Sequence, residues 1–178
     1  MLYPLTAIQK IVLTQVIAPH GITDIIHAHK TNSYGKMLNY YGGSVIVSSG
    51  LEHLHQTELL NLIFFIASSY HFRHDLKLLF PTLPYSTLFS GSALYLLVQN
   101  PQLFFFYMTC VHVPNHYTMI WKHVKEFKKE TFFLVACTGI ISLLGYNWME
   151  KTNILPLDLI MGVVLGHIFY EETVISDD

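Results

Sequence analysis

Charge is what this chain has least of. Of its 178 residues only 12% are Asp, Glu, Lys or Arg, against roughly 25% in soluble domains. Hydrophobic residues make up 52% and aromatics 14%, and mean hydropathy is +0.39. A water-exposed surface is hard to build from so few charges. The net charge of −2 and the lack of a basic stripe with interleaved aromatics exclude nucleic-acid binding. Cysteine is scarce as well. Cys110 and Cys137 both fall in apolar stretches, which argues against a disulfide framework. Internal repeats, low-complexity linkers, a Gly-rich phosphate loop, a nucleophile elbow and the HExxH motif are all missing. The apolar runs are continuous and do not alternate, which excludes a β-barrel.

What remains is a series of apolar segments separated by short polar breaks. They predict helices at about 4–28, 37–52, 57–72, 79–99, 101–121, 131–147 and 154–170. The expected fold is therefore all-α. It is a polytopic transmembrane bundle of about six or seven helices, forming a single integral membrane domain over 1–178. The 37–52 segment, with Gly42-Gly43, reads either as a full span or as a half-span packed inside the bundle. Pro81, Pro84, Pro101 and Pro156 sit near proposed helix starts, where proline is tolerated. Met1 to Pro19 is signal-like, but Lys10 interrupts it and no small-x-small site follows. It is read as a retained first helix.

Charge placement tests this arrangement. If all seven segments cross, Lys30, Lys36, Arg73, Lys77, Lys122, Lys125, Lys128 and Lys129 share one side, and only Lys10 and Lys151 do not. The positive-inside rule makes that side cytoplasmic. The N-terminus is then outside, and the acidic tail from Glu171 to Asp178 is inside. His20, His71, His112 and His116 all fall at similar depth near the cytoplasmic face.

Histidine is abundant, with 11 copies. An ionisable residue inside a bilayer is costly without a partner, so it marks function. Three clusters stand out: Pro19-His20-Gly21-Ile22-Thr23-Asp24, Ser69-Tyr70-His71-Phe72-Arg73-His74-Asp75, and His112-Val113-Pro114-Asn115-His116. His112 and His116 are four apart, so a helix puts both imidazoles on one face. Pro114 between them removes a backbone hydrogen bond and kinks the helix. The alternative is two interfacial histidines flanking a structural kink. Asp24, one turn after His20, is placed to accept from a ligand imidazole, and His74 and Asp75 are candidates for the same supporting role. His27 and His29 read as a helix end at the interface. His53 and His55 read as loop residues, and His123 as part of the solvated cationic stretch Lys122 to Lys129. His167, with Glu171 at i+4, is either a supporting pair or a helix terminus. Neutral imidazole suits zinc, copper, iron and nickel, and four histidines with open positions suit an Fe2+ centre that binds dioxygen.

In order and composition these clusters resemble the motifs of the Brp/Blh family of β-carotene 15,15′-dioxygenases. That family carries a His-Gly-x-x-Asp element, then Ser-x-x-His-Phe, then a His-x-x-x-His pair. Here the counterparts are His20 to Asp24, Ser68 to Phe72, and His112 with His116. The likeness runs from about Pro19 to Lys122, and the interval between His71 and His112 is shorter than the family's. The resemblance implies that His20, His71, His112 and His116 hold Fe2+ and act in catalysis. It implies oxidative cleavage of β-carotene or a related carotenoid by O2 into two all-trans-retinals, with the substrate drawn from the lipid bilayer. An opsin-type recipient of retinal is the partner such a product implies.

Two other readings stand beside it. A membrane di-iron hydroxylase or desaturase acting on a lipid would need to recruit His27, His29, His74, His123 and His167, and it lacks the usual His-His pair. A metal or proton transporter would use intramembrane His and Asp as a relay, without the internal repeats transporters often show. A membrane assembly protein with interfacial histidines is the plainest alternative.

Overall fold

The computed structural model describes residues 6–82, 84–152 and 157–175, and among these it contains helices and no strand. The helices are α1 (Ala7–Val12), α2 (Thr23–Thr31), α3 (Tyr34–His53), α4 (Thr57–His71), α5 (Arg73–Leu79), α6 (Ser86–Val98), α7 (Pro101–Tyr107), α8 (Val113–Val124), α9 (Lys128–Thr152) and α10 (Leu157–Tyr170). The all-α expectation is met. Several boundaries differ from the sequence reading: α5 fills a stretch read as a break between helices, and α9 is longer at both ends than the predicted 131–147. The 79–99 segment begins as a helix only at Ser86, because Pro81 and Pro84 fall in a turn. Proline has no N–H to donate and disfavours helix in the residue before it. The cationic stretch from Lys122 is helical: α8 continues to Val124, and a 3-10 turn (Lys125–Phe127) leads into α9. Pro156 lies outside the described residues.

The chain divides into two compact units. One comprises Met1–Ile26 and Asn100–Leu155, the other His27–Gln99 and Pro156–Asp178. In the first, α1 opens on a capping box, Thr6 accepting from the Gln9 N–H at 3.3 Å while Gln9 Oε1 accepts from the Thr6 N–H at 2.9 Å. A π-helical turn (Leu13–Ile17) and a 3-10 turn (Ala18–Ile22) follow and pack on α9. The contact centres on Gly139, where an added Cβ would lie 2.6 Å from Gln15 Oε1. With hydrogen in that place, Gln15 reaches over the helix and donates to the Gly139 carbonyl at 2.9 Å. Lys10, which interrupts the first apolar run, pairs with Glu150 at 2.7 Å.

A second π-helical turn (Met108–His112) joins α7 to α8. The two turns share a pattern: each is followed, one residue later, by a proline, Pro19 in one case and Pro114 in the other. In an α-helix the proline ring would meet the carbonyl four residues back. The wider turn carries the backbone past that obstruction. π-Turns recur at functional sites, and here they lead into His20 and contain His112.

In the second unit α3 and α10 lie backbone against backbone. A Cβ on Gly162 would sit 2.6 Å from Val45 Cα, and one on Gly166 would sit 2.6 Å from Tyr41 Cα. Ser49 Oγ donates to Asp158 Oδ2 at 2.8 Å. Each step of four along α10 is thus a step of four back along α3, so the pair is antiparallel. Small residues four apart allow this closeness, as in membrane helix pairs. Leu60 and Ala67 of α4 complete a core with Met161, Leu165 and Ile168 of α10. At its C-terminal end α10 is tied by the Tyr170 hydroxyl, 3.0 Å from His27 Nδ1 and 2.8 Å from Ser33 Oγ. A third π-helical turn (Glu171–Ile175) follows.

Candidate metal centres

The first unit gathers His20, His112 and His116. His20 rides on the 3-10 turn, His112 ends the second π-turn, and His116 lies on α8. The His20 ring centroid is 5.4 Å from that of His112 and 5.0 Å from that of His116, both edge-on. All three are buried, His116 with only 2% exposed.

Hydrogen bonds identify a donor nitrogen on two of the rings. His20 Nδ1 bonds the Ile17 carbonyl. A carbonyl only accepts, so Nδ1 carries a proton. Thr23 settles His116. Its hydroxyl donates to the His20 carbonyl at 2.8 Å, which uses its single proton. The 2.9 Å contact from Thr23 Oγ1 to His116 Nε2 therefore has the imidazole as donor. Hydrogen bonds of this kind hold an imidazole in the fixed orientation that a metal ligand needs. Asp24 is fully buried in the first turn of α2.

His71 belongs to the second unit, at the end of α4, and its neighbours there are His167 and Glu171. The four-histidine set is thus divided, three in one unit and His71 in the other. One ligand atom each from His71, His167 and Glu171 lie within 4.8 Å of one another, and all three residues are buried. Glu171 Oε2 is 3.6 Å from His71 Nε2 and 3.3 Å from His167 Nε2. On its other side His71 Nδ1 meets Glu172 Oε1 at 3.2 Å. Glu172 is also gripped by Arg73 at 2.7 Å and His74 at 3.2 Å. Burial pushes the Glu172 carboxyl up, but the hydrogen bonds from His71, His74 and Arg73 outweigh it and hold the group down at about 2. His74 therefore supports His71 through Glu172. Asp75 is buried on α5.

The remaining histidines divide. His29, His53 and His55 are exposed. His27 is fully buried against Tyr170, a structural role that the interface reading did not anticipate. His123 is half-buried in the last turn of α8. Cys110 and Cys137 are both free thiols.

Two contributors went unnoticed in the sequence. Thr23 sits inside the first motif, and a helical threonine habitually bonds a carbonyl three or four residues back. That habit was the available signal. Glu172 was hidden in an acidic tail that reads as solvated.

An open groove of about 610 Å³ runs between α4 and α6 in the second unit, lined by Phe65, Ile66, Leu88, Tyr95 and Leu96 with Ser69 and Gly91. Ser69 is two residues from His71 on the same helix. No family model, curated protein or solved structure matches this chain.

Proposed function

We propose that the chain is a polytopic integral-membrane non-haem iron dioxygenase. It cleaves the central 15,15′ double bond of β-carotene with O2 to give two retinals. The observation that carries the metal part is the buried convergence of His20, His112 and His116, with the proton positions on His20 and His116 set by Ile17 and Thr23. Neutral nitrogen donors fit Fe2+. His71 is the fourth histidine in the family motifs that the chain resembles.

Surface chemistry supports the membrane part. Lys125–Thr152 is long and apolar enough to cross a bilayer, and Phe132, Phe133, Ile141 and Leu144 on it are exposed. Each large apolar side chain kept in water forgoes about 1.5–3 kcal/mol, a cost that lipid removes. Exposed Ile46 and Val47 on α3, and Leu88 and Leu96 on α6, extend the same argument. With seven crossings, the clustering of Lys and Arg on one side favours an N-terminus outside and a C-terminus in the cytoplasm.

The groove between α4 and α6 has the size and apolar lining of a ligand site, and its open side suits lateral entry of a polyene. Bound iron supplies the redox chemistry that couples O2 to alkene cleavage. One O2 and one C=C give two C=O groups, so no further reductant is consumed. The chain's own part is to hold the imidazoles in place and to fix which double bond is presented.

The test is expression in carotene-accumulating bacteria, with pigment and retinal separated by chromatography. Retinal that appears with the wild type and is lost in His112→Ala supports the reading. Unchanged carotene in cells with folded protein refutes the substrate. A second reading, lipid hydroxylation by two irons, draws on His167 and Glu171, donors outside the four-histidine set. It requires a hydroxylated lipid and no retinal.

A further inference from the structure

We infer that the second unit holds a divalent metal ion of its own, bound by His71 Nε2, His167 Nε2 and Glu171 Oε2. This inference does not rest on the dioxygenase reading. Ligand separations carry it. Two atoms each bonded at about 2.0–2.2 Å to one tetrahedral ion lie about 3.4 Å apart. The two His–Glu171 separations, 3.3 and 3.6 Å, straddle that value. Hydrogen bonds from imidazole to carboxylate would be drawn in to about 2.7–3.2 Å instead. The same oxygen, Oε2, faces both rings, as it would facing one ion.

The surroundings agree with this assignment. His71 Nδ1 is held by Glu172, which turns Nε2 toward Glu171. That is the carboxylate–histidine–metal arrangement. The Glu172 charge is answered by Arg73 at 2.7 Å, so the ion's charge is directed to Glu171. His167 and Glu171 are four apart on one helical face. Two imidazoles and a carboxylate select a borderline dication of the zinc or ferrous class. Three protein donors leave a position for solvent or substrate, the mark of a reactive site.

The test uses full-length protein in detergent, stripped with chelator and loaded with Co2+ alone. In the His112→Ala variant, one tightly bound cobalt per chain with strong visible ligand-field absorption is expected. Adding Glu171→Gln should weaken that binding by more than the about 10–100-fold typical of supporting groups. Adding His167→Asn should do the same, which guards against one variant misfolding. Glu172→Gln should fall within the 10–100-fold range. Absence of cobalt from folded His112→Ala protein, or binding that survives Glu171→Gln and His167→Asn, overturns the site. Failure of the dioxygenase reading would show as absent retinal and leave the cobalt result untouched.

Discussion

Replacing Gly166 with alanine isolates the packing between α3 and α10. The new Cβ would lie 2.6 Å from Tyr41 Cα and 3.0 Å from its Cγ. Carbon pairs settle at about 3.5–4.0 Å, so the helices must part locally by about 1 Å. The nearest obstacle is backbone, which no rotamer change relieves. Overpacking of this kind costs about 1–3 kcal/mol. Alanine returns up to about 1 kcal/mol through helix propensity, which blurs a single measurement. Gly145→Ala supplies the reference, because nothing lies within 4 Å of a Cβ there. The propensity gain is common to both, so their difference reports packing alone. For a chain of this size, about 2–4 °C of Tm accompanies each kcal/mol. Gly166→Ala should therefore melt below Gly145→Ala by several degrees, read by circular dichroism in detergent at one scan rate. His167 is the next residue, so cobalt binding should weaken in Gly166→Ala and be unchanged in Gly145→Ala. Equal melting of the two variants would refute the backbone contact.

Three further outcomes follow from individual side chains. Thr23→Val removes the hydroxyl that fixes His116, so iron affinity should fall about 10–100-fold, with Thr23→Ser restoring it, as read by anaerobic metal titration. Tyr170→Phe strips one hydroxyl from His27 and Ser33 and should destabilise the protein by about 1–3 kcal/mol in the same melting assay. Gly91→Leu, whose Cβ would point at Ser69 Oγ from 3.2 Å, should fill the groove, lowering retinal yield while metal content stays at the wild-type level.

Much of the fold was legible because apolar runs and prolines mark helices directly. The segment 37–52 is a helix over Tyr34–His53, and 57–72 matches Thr57–His71. The i, i+4 pair His112 and His116 was legible because helix geometry alone puts them together. The convergence of His20 with them was legible only indirectly, through the common depth that the charge pattern implied and through motif resemblance, since residues so distant in sequence meet by packing. The two π-turns that precede Pro19 and Pro114 were not legible, because composition gives no trace of how a proline ring is accommodated. Gly162 and Gly166 have a readable spacing, but their meaning depends on finding Tyr41 and Val45 opposite. Glu171 was legible as the i+4 partner of His167, whereas Glu172 was not, since a carboxylate ordinarily faces water. Only the buried histidines and Arg73 around them explain their place.

The π-turns also give the protein an unusual dependence on length. Each α-helical residue advances the chain by about 100° around the axis, so a turn that holds one more residue resets the angular phase of everything beyond it. Deleting a single residue between Met108 and His112 would leave hydropathy nearly unchanged. It would swing α8 about a quarter-turn relative to α7, carrying His116 away from Thr23. An insertion of the same size in a helix whose outer face packs against nothing would be absorbed by a slight change in tilt. Tolerance of insertions and deletions along this chain should therefore be a map of azimuth, with sharp minima at Leu13–Ile17 and Met108–His112.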